Sequence, residues 1–159
     1  MQKPVRSERP DELYERDFFE WTQQQAALVA AGRWENVDRD NLVDEIEAMG
    51  RSERREIGNR LARILQHLLK WEHQPERRTY SWRETLSGQR LAIEILVAAS
   101  PSLKAHPAQA LELAYRRGKV RAALETGLLE ESFPSQCPYT IEEALDFRFH
   151  PGPAEPRID

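Results

Sequence analysis

Cysteine is almost absent from this sequence, which has Cys137 alone among 159 residues. A single cysteine forms neither an intrachain disulfide nor a thiolate metal cluster, and this usage is typical of a reducing compartment. Long apolar runs are also absent: residues 91–99 are interrupted by Glu94 and are too short to span a bilayer. Residues 1–17 lack the apolar core of a signal peptide. We therefore expect a cytoplasmic protein with no membrane partner.

The hydrophobic pattern is helical throughout. No stretch alternates with the period of two that indicates a strand, whereas apolar residues recur at spacings of three and four. The sequence predicts an all-α fold, a single antiparallel helical bundle-like domain of five or six helices. We expect a frayed N-terminus over residues 1–10, the helical domain over residues 11–150 and a Pro-rich tail over residues 151–159.

The expected boundary between the second and third helices is Gly50. A second helix capped by Asp38 would present a core face of Leu42, Ile46 and Met49. If it continued through Gly50, the carboxylate of Glu53 would fall on the same stripe and be buried at a high cost. We therefore predict that the chain breaks at Gly50 and restarts. The first helix is expected to run, without a break, from about Asp11 to Gly32.

The third helix has the clearest amphipathic pattern, with a core stripe of Ile57, Leu61, Ile64, Leu68 and Trp71. Capping patterns then mark the starts of a fourth helix, at Ser81 and Glu84, and of a last one, at Thr140 and Glu143. A fifth helix is expected between Pro107 and Gly127.

Charge is unevenly distributed along the chain. Residues 1–50 hold 6 basic and 12 acidic side chains, whereas residues 51–90 hold 10 and 5. Much of the basic excess follows one flank of the third helix and the turn after it, at Arg60, Arg63, His67, Lys70, Arg77 and Arg78. One interpretation is a binding surface for an anion or an acidic partner. The other is a solvated flank that pairs with Asp44, Glu45 and Glu47.

The patterns of catalytic and metal sites do not occur. There is no His-x-x-x-His or His-Glu-x-x-His, no Gly-x-Ser-x-Gly, and no Glu three residues before His67. Cys137 lies in a Pro-rich turn with no basic cluster to activate it. We expect no catalytic residue, no metal and no cofactor. A metal site assembled from distant helices, such as His67 with Glu45 or Asp17, stays open.

Several segments together resemble a known family. They are, in chain order, LYERDFFEW, ENVDRDNLVDEIEAMGRSERRE, LQHLLKWEHQPERRTYSW, ASPSLK, ETGL, FPSQCPYT and FRFHP. Over about residues 11–151 the chain resembles the bacterial family catalogued as "domain of unknown function 29". The resemblance implies an all-helical fold in a small bacterial protein. It brings no activity, cofactor or catalytic residue.

These observations favour a non-enzymatic helical interaction or accessory protein. Its partner would be another protein or a second copy of the chain. The alternative is nucleic-acid or phosphate-ligand binding through the basic flank of the third helix. A metal-dependent hydrolase is the third hypothesis.

Overall fold

A computed structural model describes residues 10–152 of the chain. The predicted frayed N-terminus (1–10) and Pro-rich tail (151–159) therefore lie almost wholly outside the described residues. Within them the chain is helical and contains no strand, so the predicted all-α class is confirmed. The α-helices are α1 (Pro10–Arg16), α2 (Phe18–Ala30), α3 (Arg39–His73), α4 (Tyr80–Ala99), α5 (His106–Thr126) and α6 (Ile141–Leu145). Short 3₁₀ turns cover Trp34–Asn36, Pro75–Arg77, Pro101–Leu103 and Glu130–Ser132.

The chain forms two compact units, Met1–Arg51 and Ser52–Asp159. The α3 helix supplies residues to both, its first part to the first unit and the remainder to the second. The expectation that residues 11–150 form a single domain stays a prediction. Each unit has its own side-chain packing.

In the first unit, the predicted first helix is two helices. The side chain of Asp17 accepts a hydrogen bond from the backbone N–H of Glu20 (3.0 Å), so it caps a new helix in the middle of the apolar pattern. The prediction of one continuous helix is therefore wrong at this residue. The apolar spacing continues across the break, which is why periodicity alone did not reveal it.

A polar network joins α2 to the start of α3 in the same unit. The indole N–H of buried Trp21 donates to Asp38 Oδ2 (3.1 Å), and the backbone N–H of Asp38 donates to the buried Gln25 Oε1 (2.8 Å). Gln25 lies at helical spacing between the apolar residues Trp21 and Leu28, and its side-chain oxygen is thus satisfied inside the unit.

The predicted break at Gly50 is wrong, since α3 continues through it to His73. The prediction assumed that Met49 and Glu53 would be buried on one stripe. Both side chains are exposed, so a continuous helix carries no penalty for burying the carboxylate. The core face assigned to Ile46 and Met49 is wrong for the same reason.

The second unit is built on the predicted core stripe of α3. Ile57, Leu61, Ile64, Leu68 and Trp71 are all buried, which confirms this part of the pattern. They pack in a core with residues of the later elements, among them Leu86, Ile93, Tyr115, Phe133, Tyr139 and Ala144.

Contacts along α3 give the order of the long helices. The pairs Arg60–Gln89 and Glu53–Ser100 show that α4 runs antiparallel to α3. The pairs Asn59–Arg117 and Lys70–Glu125 show that α5 returns parallel to α3. The helices α3, α4 and α5 are therefore successively antiparallel, as in a bundle.

The α5 helix approaches α3 closely at Gly118. A Cβ atom built there would lie 2.8 Å from the carbonyl oxygen of Ala62 and 3.0 Å from the backbone nitrogen of Gln66. Such distances leave no room for a side chain, so glycine permits this helix contact.

The helix ends agree in part with their predicted caps. The capping box of Thr140 and Glu143 is present, and Gly127 ends α5 with a positive φ of 74°. The capping box predicted at Ser81 is wrong, because α4 begins one residue earlier, at Tyr80. Thr79 occupies the N-cap position there and makes no side-chain capping bond.

Candidate functional site

The structure places Lys70 of the predicted basic flank in a packed contact. Its side chain is 9% exposed, and Nζ donates to Glu125 Oε2 at 2.6 Å. The ammonium also lies 4.4 Å from the ring centre of Trp82. A carboxylate and an aromatic face both stabilise a cation, so this residue joins α3 to α4 and α5.

Glu125 is the shared acidic partner of the flank. Burial alone would raise its pKa, but the hydrogen bond and charge of Lys70 outweigh burial and lower the pKa. Arg63 Nη1 lies 4.0 Å from Glu125 Oε1, with almost half of the arginine side chain exposed. One carboxylate therefore faces two cations of α3.

His67 is buried between these cations. Its Nδ1 is 3.0 Å from the carbonyl oxygen of Arg63, and because a carbonyl can only accept, Nδ1 carries the proton. Burial is the main cause that lowers the pKa of His67 to about 4, and the charges of Lys70 and Arg63 add to it. The imidazole is neutral at physiological pH, bonded within its own helix.

The remaining flank residues divide between packing and solvent. Arg60 forms an ion pair with Glu56 (2.6 Å) and donates to Gln89 Oε1 (3.2 Å). Arg78 Nε donates to the carbonyl oxygen of Trp71 (2.9 Å), with the guanidinium over the indole at 5.0 Å. Arg77 is exposed at the end of a 3₁₀ turn.

The structure thus brings Arg60, Arg63, His67 and Lys70 together on one flank of α3, as their spacing predicts. The carboxylates found beside them are Glu56 and Glu125. The sequence suggested Asp44, Glu45 and Glu47 for this role. Glu125 is distant in sequence and became a neighbour only through the return of α5. Anion binding by the flank stays a prediction.

An exposed apolar stripe on the first part of α3 was missed as a site by sequence reasoning. Val43, Ile46 and Met49 are 54%, 60% and 70% exposed. The charged residues Arg39 and Glu53, both exposed, precede and follow them on the helix. We call this set of five residues the α3 stripe. Its sequence signal was the seven-residue spacing of residues 39, 46 and 53.

A second basic surface lies on α5. Arg116, Arg117 and Arg121 are exposed around a shallow depression, and Lys119 pairs with Glu130 at 3.5 Å. The sequence signal was four cations within residues 116–121.

Two features bear on metal and nucleophile chemistry. Over residues 10–152, no group of three or more His, Cys, Asp or Glu side chains is placed to hold a metal ion. The Cys137 thiol donates to the carbonyl oxygen of Tyr139 (3.3 Å), and burial raises its pKa. A raised pKa reduces the thiolate fraction, which is the nucleophilic form.

Together these features define an all-α protein whose basic flank is partly engaged in helix packing. No described helix is long and apolar enough to cross a membrane. The chain belongs to the family described as "Domain of unknown function DUF29", whose family model matches residues 13–150. It has no significant match among curated proteins or among solved structures. The family resemblance seen in the sequence is therefore confirmed.

Proposed function

We propose that this protein is a non-enzymatic helical interaction module that self-associates through the α3 stripe. The observation that carries the proposal is the exposure of Val43, Ile46 and Met49 on one helix face. Exposed apolar side chains that are contiguous mark interaction surfaces more often than scattered ones do. In the same unit, Phe18, Phe19 and Trp34 are also exposed.

The charge order of the stripe favours a second copy of the chain as the partner. Arg39 and Glu53 each lie seven residues from Ile46, which is two helical turns or about 10 Å along the axis. When two copies of α3 cross antiparallel at Ile46, Arg39 of each copy comes opposite Glu53 of the other. A two-fold axis repeats that contact, so one surface is complementary to itself.

The seven-residue spacing is also the repeat that keeps a seam facing a partner helix. Residues 39, 46 and 53 occupy equivalent heptad positions, and Val43 and Met49 flank the central one. Gly50 has no side chain to add bulk beside the seam, and the space around it is open, since a Cβ built there meets nothing within 4 Å. Two helices can therefore approach closely near the centre.

Cysteine usage favours the cytoplasm as the place where the protein acts, because the one thiol needs no oxidising compartment.

A protein partner other than a second copy would use the same stripe. The two cases differ in one respect: only self-association depends on the concentration of the purified chain.

Sedimentation velocity of the purified chain over a wide concentration range tests the proposal. We expect the weight-average mass to rise from monomer to dimer. The Ile46→Asp variant should weaken dimerisation by at least about tenfold, because each interface would bury two carboxylates at its centre. Ile46 is exposed in the monomer, so the variant should fold normally.

Leu124→Asp is the matched control. Leu124 is an exposed apolar residue of α5 in the second unit, and its replacement should leave the association unchanged. A chain that stays monomeric at every concentration would overturn the proposal, as would equal effects of the two variants.

Nucleic-acid or phosphate binding is a second candidate function. The basic surface on α5 is a better candidate for its site than the basic flank of α3. Arg116, Arg117 and Arg121 are exposed, whereas Lys70 is paired within the fold. Phosphate contacts by exposed cations would give binding that weakens steeply with salt. We expect Arg117→Ala with Arg121→Ala to reduce binding of a DNA or RNA oligonucleotide at low salt, and Arg63→Ala to have less effect. Absence of binding at low salt would end this candidate.

A further inference from the structure

Arg90 of α4 is a buried cation with an incomplete set of partners. The residue is 1% exposed. Its Nε donates to the carbonyl oxygen of Ala144 (2.9 Å) and its Nη2 donates to the carbonyl oxygen of Phe149 (3.0 Å). The buried Nη1 has no hydrogen-bond partner among the described residues. Buried polar groups are rarely left in this state, so the unpaired donor needs an explanation.

The charge of Arg90 is not balanced by a contacting carboxylate. Within residues 10–152, no ion pair of Arg90 is found, and Asp146 acts on it only through its more distant charge. Burial lowers the pKa of Arg90 to about 10, and Asp146 offsets part of that effect. The guanidinium is still a cation at neutral pH, held against two neutral carbonyl groups.

A cavity of about 410 Å³ lies beside Arg90, inside the second unit. Its walls are mainly apolar, formed by side chains such as Ile93, Val97, Pro107, Ile141 and Leu145. The volume falls within the range of about 300–1,000 Å³ that is usual for small-molecule sites, which combine apolar walls with few polar groups.

Three charged residues, Glu94, Lys104 and Glu142, also line this cavity. The two carboxylates would repel a ligand with several negative charges, such as a phosphate ester. A single carboxylate is better matched, since charge-assisted hydrogen bonds between a guanidinium and a carboxylate are stronger than neutral ones. An apolar tail would then occupy the space between α4 and α6.

We propose that this cavity binds a small monocarboxylic acid with an apolar tail, whose carboxylate pairs with Arg90. Arg90 lines this cavity, so a carboxylate bound there would supply the negative charge that the guanidinium lacks. The proposal does not depend on self-association, because every residue of the cavity lies outside the α3 stripe.

Calorimetry on the full chain with octanoate as the probe tests the proposal, and octanol and octylamine are the matched ligands. We expect octanoate to bind at least about tenfold more tightly than octanol, because only octanoate forms charge-assisted bonds with the guanidinium. Octylamine should bind more weakly than both. Equal binding of octanoate and octanol, or no binding of octanoate, would overturn the proposal.

Methyl NMR locates the binding. Signals of Ile93 and Ile141 should shift with octanoate, while that of Ile46 should not. Shifts confined to residues outside the cavity would overturn the proposal even if octanoate bound.

Two variants distinguish Arg90 from the other cation that lines the cavity. Arg90→Lys should weaken octanoate binding by about tenfold, because an ammonium lacks the planar fork of donors that bonds both carbonyl groups and leaves a further donor, whereas Lys104→Gln should change it little. A larger loss with Lys104→Gln would contradict the assignment. If Arg90→Lys proves unfolded by circular dichroism, the wild-type comparison of octanoate with octanol decides.

Discussion

The ammonium of Lys70 and the carboxylate of Glu125 are 2.6 Å apart, and this contact joins α3 to α5 where the basic flank is buried. The lysine is nearly buried and the glutamate about half exposed, so the pair is a partly screened contact. One of the cations that the sequence suggested for anion binding is thus a packing residue of the helical bundle.

Glu125→Gln should lower the free energy of unfolding by about 1–2 kcal/mol, because it leaves the Lys70 charge poorly compensated in a buried position. Lys70→Met with Glu125→Gln should cost less than the sum of the single variants. Urea unfolding measures all three. Glu112→Gln, an exposed change on the same helix, is the control and should lie within about 0.5 kcal/mol of wild type. Additive single-variant effects would show that the pair is not coupled.

Gly118 sets the distance between α3 and α5. Gly118→Ala should destabilise the protein by about 1–3 kcal/mol, because the new methyl group would meet the backbone of Ala62 and Gln66 at 2.8 and 3.0 Å. Gly88 of α4 offers the matched control, since a Cβ there meets nothing within 4 Å. Gly88→Ala should stabilise by about 0.5–1 kcal/mol through helix propensity. Thermal unfolding separates the two signs, and stabilisation by both would contradict the close approach.

His67 should make stability depend on pH. Its pKa is lowered to about 4 in the folded protein, so below the unfolded value of about 6.5 the unfolded chain binds the extra proton. The free energy of unfolding is therefore unaffected by this residue well above pH 6.5, and it decreases as the pH falls towards 4. Between pH 7 and 5 we expect a loss of about 2 kcal/mol from this residue.

The variant His67→Gln should flatten that decline in urea unfolding. Gln74→Ala is the control, because Gln74 is a buried polar residue of the same region that does not titrate. It should lower stability equally at both pH values. An unchanged decline in His67→Gln would show that other groups cause the pH dependence.

The sequence predicted the fold class and the second half of α3 well. Ile57 through Trp71 are buried on one face, and such a regular stripe leaves few alternatives. It predicted the first half of α3 poorly, because apolar spacing at Ile46 and Met49 indicates a helix face but not what covers it. Asp17 shows the opposite case, in which a local side-chain cap interrupts a regular pattern.

The residues of the candidate sites were harder to predict, for physical reasons. The basic flank was found from its helical spacing, but Glu125 is 55 residues from Lys70 in sequence, and no local pattern connects them. Arg90 was one basic residue among many until α6 and the segment after it covered it. Burial and pairing both arise from tertiary contacts.

Charge reversal on the α3 stripe tests the proposed self-association most directly. Sedimentation velocity should show that Arg39→Glu and Glu53→Arg each weaken the dimer, because each places like charges opposite one another at both ends of the pair. The variant that carries both changes should recover wild-type association, since the antiparallel pairing is restored with its signs exchanged. If the double variant failed to recover dimerisation, or if none of the three variants changed it, an antiparallel dimer centred on Ile46 would be contradicted.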